Sequence, residues 1–393
     1  MTRHLKRSAL SILSMVALVS TITIARAQGP AEGAGEATQG YSWQGAAFAM
    51  TNVVDDNRIV TYRRAADGEL TRVGSISTRG NGIGTDLDTQ GGLRLSSDHR
   101  FLYAVNAGSD EITVFSVNGP NLTFLQKIYA GDEPNSMAIH EHLLYVLDGS
   151  VAGNGILGFR IRSNGTLAPL PGSFRLLSSP IAVPGDIEFS PDGHVLLVTE
   201  KTTNKLLDPE DAIDSFRIGS DGLASAIPKR LNSHGLRPFS LAFRDDGKLV
   251  VAESFNAALG RSAVSSYRLT SEGALDLIDG SVRNYQTDTC WVVVTDDGRY
   301  VYTANFGSGT ISSYRLDSDG DLHLIDGKAA FLGALSQPVD LALSSDSGFL
   351  YLLLRGKGAV AGFKVRDDGG LAPLGVVKGG LPVNDGASGL AAF

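Results

Sequence analysis

The sequence predicts an all-β protein: a seven-bladed β-propeller with four antiparallel strands per blade, its first blade closed by the C-terminal strand. Three observations predict it. One short phrase recurs along most of the chain. A left-handed turn residue follows each copy at a fixed offset. The series opens on a second strand and ends on a first one.

The phrase is clearest at 295–325, "TDDGRYVYTANFGSGTISSYRLDSDGDLHLI". "DDG" is a turn, "RYVYTAN" alternates as a strand does, "FGSG" breaks it, "TISSYRL" is a second strand, and "DSDG" turns into a third, "DLHLI". Gly and Asp supply the backbone conformations of tight hairpins, and β-branched and aromatic residues suit a pleated, half-buried surface. The aromatic of the middle strand marks each copy: Tyr62, Phe115, Phe159, Phe216, Tyr267, Tyr314 and Phe363, spaced 44 to 57 residues apart. Six residues on stand Gly68, Asn121, Gly165, Gly222, Gly273, Gly320 and Gly369, with Asn taken as the one substitute for Gly at a left-handed position.

A fourth strand precedes the phrase: 92–96, 136–140, 186–190, 240–244, 291–295 and 340–344. We label the strands of a unit A to D in chain order. The first unit lacks its A strand and begins at "AAFAMTN" (46–52), whereas an unpaired A strand, "GLAAF" (389–393), ends the chain. A closed ring accounts for both ends, because the last strand completes the first blade and leaves no raw edge.

Ahead of the ring, Arg3, Lys6 and Arg7 precede an apolar run and "ARA" at 25–27, the pattern of a secretory signal cut before Gln28. Residues 28–42 read as a flexible leader and 43–393 as the propeller. Export to the periplasm or medium is expected, with no membrane span after cleavage. The single cysteine, Cys290, excludes an intramolecular disulfide, so the core alone must hold the fold. A net charge of −8 without a basic stripe argues against nucleic acid. The chain has no haem-attachment, P-loop or G-x-S-x-G motif. No cofactor or metal is expected, and the protein is expected to be a monomer.

In such a ring the A–B and C–D turns share one face, and the B–C and D–A connections share the other. The first set is short and uniform. The second is long and variable (78–91, 202–212, 232–238, 255–263), which places the working face there. Two residue sets are expected to meet at the channel mouth. The ends of the B strands give Asn52, Asn106, Asp148, Glu200, Glu253, Asn305 and Arg355. The starts of the A strands include Ser136, Asp186, Ser240, Trp291 and Asp340. Polar strand ends also cap backbone groups and loops, so each taken singly has a structural explanation. Clustered carboxylates raise one another's pKa or hold a cation, and that pattern singles out Glu200 and Glu253 on adjacent blades. His234 and Arg237, in the connection entering the fifth blade, are candidate partners for an anionic or lactone oxygen. Cys290 is expected to be buried packing.

"FSPDGHVLLVTE", "TDDGRYVYTANFGSGTISSYRLDSDGDL" and "SSDSGFLYLLL" resemble the lactonase family of seven-bladed propellers, which includes 6-phosphogluconolactonases and 3-carboxy-cis,cis-muconate lactonising enzymes. The resemblance spans about residues 43–393, and "RPFSLAFRDDGKLVVAES" and "QTDTCWVVVT" look like an exported subgroup. It implies a catalytic His on the third blade, an Arg and a Glu on the fourth, and an Arg on the fifth. Those positions hold Ser136, Gly185, Glu200 and Ser254, so only the glutamate matches.

Two functions follow. One is a hydrolase of a sugar lactone or related cyclic ester, with Glu200 and Glu253 activating water and Arg237 or His234 supplying the missing cation. The other is a non-catalytic propeller that binds a small ligand or a protein on its loop face. The first requires a basic group convergent with a carboxylate. The second requires polar groups already satisfied by one another.

Overall fold

The computed structural model describes residues 44–150, 153–179, 182–201 and 211–393. The expected signal and leader, and the 202–210 part of one candidate loop, lie outside them.

Seven antiparallel sheets form the ring, each ordered A-B-C-D from the axis outward. The A strands are Leu390–Ala392, Leu93–Leu95, Pro134–His140, Pro184–Phe189, Pro238–Phe243, Thr289–Val294 and Pro338–Leu343 for blades one to seven. Each packs against the A strand of the next blade, and the circuit closes on itself. The B strands are the most deeply buried because neighbouring blades cover both their faces. In blades one, two, four, six and seven every B-strand residue is buried. The outermost strand of blade three is split into Leu167–Pro169 and Arg175–Leu176.

Closure occurs as the termini of the repeat series require. Phe48 lies opposite Ala391 in the register of the first blade. Ala46 and Phe393 exchange backbone hydrogen bonds, and the Phe393 ring packs on Phe48 and His99.

The repeated turn glycines have a second task. Their carbonyls accept hydrogen bonds from B-strand tyrosines of the preceding blade: Tyr103 to Gly165 at 3.0 Å, Tyr145 to Gly222 at 2.9 Å, Tyr302 to Gly369 at 3.0 Å and Tyr351 to Gly68 at 2.7 Å. The last of these joins the seventh blade to the first. One turn departs from the expectation. Asn121 opens strand D of the second blade, and the left-handed residue is Gly119, with φ 56°. The hairpin there is the two-residue Gly119–Pro120 link, so the glycine sits earlier than elsewhere.

Candidate functional site

Six of the seven B-strand ends perform one structural task. Asn52, Asn106, Asp148, Glu200, Glu253 and Asn305 are buried, and each bonds the D–A connection entering its own blade. Asn52 Nδ2 donates to the carbonyls of Thr85 and Gly386, at 2.7 and 2.9 Å, and its Oδ1 accepts from Ile83 N. Asn106 accepts from Thr78 Oγ1, and Asp148 from Asp132 N. Asn305 accepts from Thr289 and Asn284 and donates to Thr310 and Ser312.

The two glutamates occupy equivalent places. Glu200 accepts from Ser178 Oγ at 3.1 Å and Ser179 N at 3.2 Å. Burial and the neighbouring Asp214 carboxyl push its pKa up to about 7. Glu253 accepts from Gly235 N, Ser265 Oγ and Ser281 Oγ, and burial raises its pKa as well. The fold brings His234 and Glu253 together through Ser281, whose hydroxyl lies 2.9 Å from His234 Nδ1 and donates to Glu253 Oε2 at 2.7 Å.

The A-strand starts stitch neighbouring blades. Asp186 accepts from Leu241 N of the fifth blade, and Asp340 accepts from Gly389 N of the first. Burial raises both carboxyls, Asp340 to about 7. Ser240 donates to the Cys290 carbonyl at 2.5 Å.

The mouth itself is built by a segment that does not repeat. Residues 78–91 leave the first blade and cross the axis. Gln90 pairs with the sixth blade through both ends of its amide: Nε2 donates to Val292 O, and Oε1 accepts from Val292 N, each at 3.0 Å. Its backbone N donates to Gly185 O at 3.0 Å, and its carbonyl accepts from Ser136 Oγ. Ser136 and Gly185 are the positions where the family resemblance implies His and Arg. A Cβ on Gly185 would lie 2.1 Å from the Phe239 carbonyl, so this backbone leaves no room for a side chain there.

Over this plug sits an arc of charges and rings. Lys201, buried immediately after Glu200, ion-pairs with Asp88 at 2.8 Å and lies 3.9 Å from the centre of the Phe239 ring. Arg237 reaches the same Asp88 oxygen at 3.2 Å. Phe239 packs on Trp291, whose indole N–H donates to Thr89 O at 3.0 Å, and Trp291 packs on Phe306. Arg355 covers Phe306 and ion-pairs with Asp86. Asp288 completes the group, with Cys290 Sγ 3.4 Å from its Oδ1. Cys290 is buried, as expected.

Desolvation dominates these titrations. Burial pulls the Lys201 ammonium below its ordinary pKa against the pull of Asp88. Burial raises Asp288, partly offset by its contact with Cys290 and by Arg237. The Cys290 thiol is pushed well up by burial and by Asp288.

Of the sequence candidates, Arg237, Trp291 and Arg355 therefore meet at the mouth. The B-strand set lies beneath the loops, holding them. Asp86, Asp88, Lys201 and Asp288 were missed. The available signal was irregularity: "TDLDTQG" matches nothing else in the chain, and Lys201 extends a strand that is already complete.

The model of the family described as "Lactonase, 7-bladed beta-propeller" matches residues 55–178 and 253–331. The chain belongs to this lactonase family of seven-bladed propellers. Among solved structures it is similar to a 6-phosphogluconolactonase candidate from Bacteroides fragilis, at 17% identity and TM-score 0.68, over 91% of this chain and 100% of that one. It is also similar to the periplasmic gluconolactonase of Pseudomonas aeruginosa, at 17% identity and TM-score 0.65, over 88% and 98% of the two chains. A protein from Lactobacillus plantarum matches at 18% identity and TM-score 0.69, over 89% and 99%. At these identities the likeness is one of fold. No curated protein matches the sequence significantly. No helix among the described residues is long and apolar enough to cross a membrane.

Proposed function

We propose that this chain is an exported lactonase that opens an uncharged, hydroxyl-bearing lactone at its loop-face mouth. The observation that carries the reading is the convergence of Lys201 and Arg237 on Asp88, with Asp288 close enough to feel both cations. Ester opening by water needs a base for the nucleophile and a positive group where the carbonyl oxygen becomes anionic. Asp288, raised by burial, is the better base for being raised. Lys201 and Arg237 supply the charge. The proposal moves the base from Glu200 and Glu253, whose oxygens are occupied by backbone and hydroxyl donors of their own blades, to Asp288.

Charge balance selects the substrate. Lys201 and Arg237 already share Asp88, and Arg355 already holds Asp86. These three cations are thus each partly neutralised by a carboxylate, which leaves enough charge for a single developing oxyanion but matches a phosphate dianion poorly, whereas sugar hydroxyls match the carboxylates and a ring face matches Trp291. Export is supported by the N-terminal pattern and by the likeness to a periplasmic gluconolactonase.

The same pairing favours a second reading, a propeller that binds on this face without turnover. The test is hydrolysis of δ-gluconolactone and its 6-phosphate by the purified mature protein. The neutral lactone should turn over faster, and Asp288→Asn should lower kcat about 100-fold or more with the melting temperature unchanged. Equal rates for Asp288→Asn and the parent would remove the base. Binding without turnover would establish the second reading.

A further inference from the structure

Blade five carries a hydrogen-bonded chain that the mouth does not use. Ser281, on the D strand Leu275–Arg283, stands between an exposed imidazole and a buried carboxylate. His234 Nδ1 lies 2.9 Å from its Oγ, and Oγ donates to Glu253 Oε2 at 2.7 Å. Three features exceed what a loop staple needs. Glu253 Oε1 already accepts from Gly235 N and Ser265 Oγ, so the carboxylate is held without the imidazole. Ser281 sits in the left-handed region, with φ 48°, where a residue other than glycine is strained. A bulge puts it there. Val264 pairs with Val282 and Ser266 with Asp279, which leaves Gly280 and Ser281 opposite Ser265 alone, and such a bulge re-aims a side chain. The sixth blade has the same phrase, "LIDG", at its own bulge, yet the next residue there, Lys328, is exposed and stays out of the left-handed region. The imidazole is also seated. A Cβ on Gly280 would lie between 2.5 and 2.9 Å from His234 Cε1, Nε2 and Nδ1, so only glycine lets the ring reach Ser281. The Tyr267 hydroxyl accepts from His234 N at 2.9 Å and fixes the backbone.

We propose that Ser281 is the nucleophile of a second, acyl-transfer site, with His234 as its base and esters of small carboxylic acids as its substrates. A hydroxyl is activated by a base within hydrogen-bond reach and a third group that holds the pair. The ester approaches from the side of His234, which is exposed, whereas Glu253 is fully buried. Ser281 itself is half-buried, which limits the acyl group to a small one. Oγ swings its hydrogen from Glu253 to Nδ1 and attacks the acyl carbon. The Oγ–acyl bond forms, the ester C–O bond breaks, and the proton passes through Nδ1 to the departing alkoxide. Water then attacks the acyl carbon, and its proton passes through Nδ1 to Oγ as the carboxylic acid leaves. While the proton rests on His234, Glu253 faces an imidazolium across Ser281. Burial raises the Glu253 pKa, and its hydrogen bonds and then the charge of His234 lower it, so the two groups already attract. The inference does not rest on the lactonase reading, because Asp88, Lys201 and Asp288 take no part.

Acetylation by 4-nitrophenyl acetate, read by peptide mapping of the mature protein, tests the site. An acetyl group should appear at Ser281, with a burst of about one equivalent of 4-nitrophenol. His234→Gln should slow acetylation of Ser281 about 100-fold. Ser281→Gly, which the left-handed backbone accepts, should abolish the burst. Should His234→Gln fold poorly, the adduct at Ser281 in the parent and the burst in Ser281→Gly still decide the matter. An unmodified Ser281 in protein whose lysines are acetylated, equal rates at Ser281 in His234→Gln and the parent, or an undiminished burst in Ser281→Gly would overturn the proposal.

Discussion

The ring of B-strand ends and the channel mouth are both polar, both buried in part, and both on the loop face, yet they are built on opposite principles. The B-strand ends repeat. Asn in blades one, two and six, and Asp or Glu in blades three, four and five, all hold the incoming D–A connection. The mouth repeats nowhere. Asp88 comes from one connection, Lys201 lies 113 residues further on and Arg237 lies 149 residues further on. In a protein made of copies, what every copy has serves the copy. Chemistry collects where one copy departs from the rest.

The comparison breaks first if the ring does not depend on its closing strand. Deleting residues 389–393 removes the partner of Ala47–Ala49, the backbone donor to Asp340, and the Phe393 ring over Phe48. It also bares the inner edge of the first blade, an invitation to pair with another chain. The expected outcome is loss of the parent's elution peak to aggregate in size-exclusion chromatography. A truncated chain that elutes as the parent does, with an unchanged melting temperature, would show that the ring is held elsewhere.

A smaller effect separates scaffold from site. Asn305→Ala leaves Thr289, Asn284, Thr310 and Ser312 with fewer partners in a fully buried network. Unsatisfied buried groups cost roughly 1–3 kcal/mol each, so a destabilisation of about 3 kcal/mol is expected in urea unfolding. Activity per folded molecule should hold. A loss of turnover without a loss of stability would move Asn305 from the scaffold into the site.

This division decides what could be read from the chain alone. Blade count, strand order and closure were legible because each blade repeats the same contacts, and repetition turns weak local signals into a strong periodic one. The turn glycines were legible as turns, but their role as acceptors for Tyr103, Tyr145, Tyr302 and Tyr351 was not, since the hydrogen bonds join different blades. The strand-end carboxylates drew attention for their chemistry, and their neighbours show why they stand there: Ser178, Ser179 and Gly235 in the loops and Ser281 on a D strand donate to them. Asp88, Lys201 and Asp288 escaped because nothing local marks residues that meet only across the ring axis. Nor could spacing show that 78–91 would turn inward over the channel, although the family positions emptied at Ser136 and Gly185 are the ones its Gln90 contacts.

The subtlest test asks why some staples are acids at all. Glu200 has its pKa raised from 4.5 to about 7, chiefly by burial and then by Asp214. Between those values the folded protein keeps a proton that the unfolded chain has released. Stability must therefore fall as pH rises through that window, by about 3 kcal/mol in the limit, and remain lost above it. An asparagine staple such as Asn106 carries no such term. Glu200→Gln should match the parent near pH 4, where both hold a neutral group that bonds Ser178 and Ser179. It should exceed the parent at pH 8, where the parent buries a charge beside Asp214. Denaturation midpoints across pH 4–8 read the difference directly. Parallel curves for the two proteins would show that folding leaves the Glu200 pKa unshifted from 4.5, so that the folded protein carries an ionised carboxylate there at neutral pH, and that would return it to contention as a catalytic group.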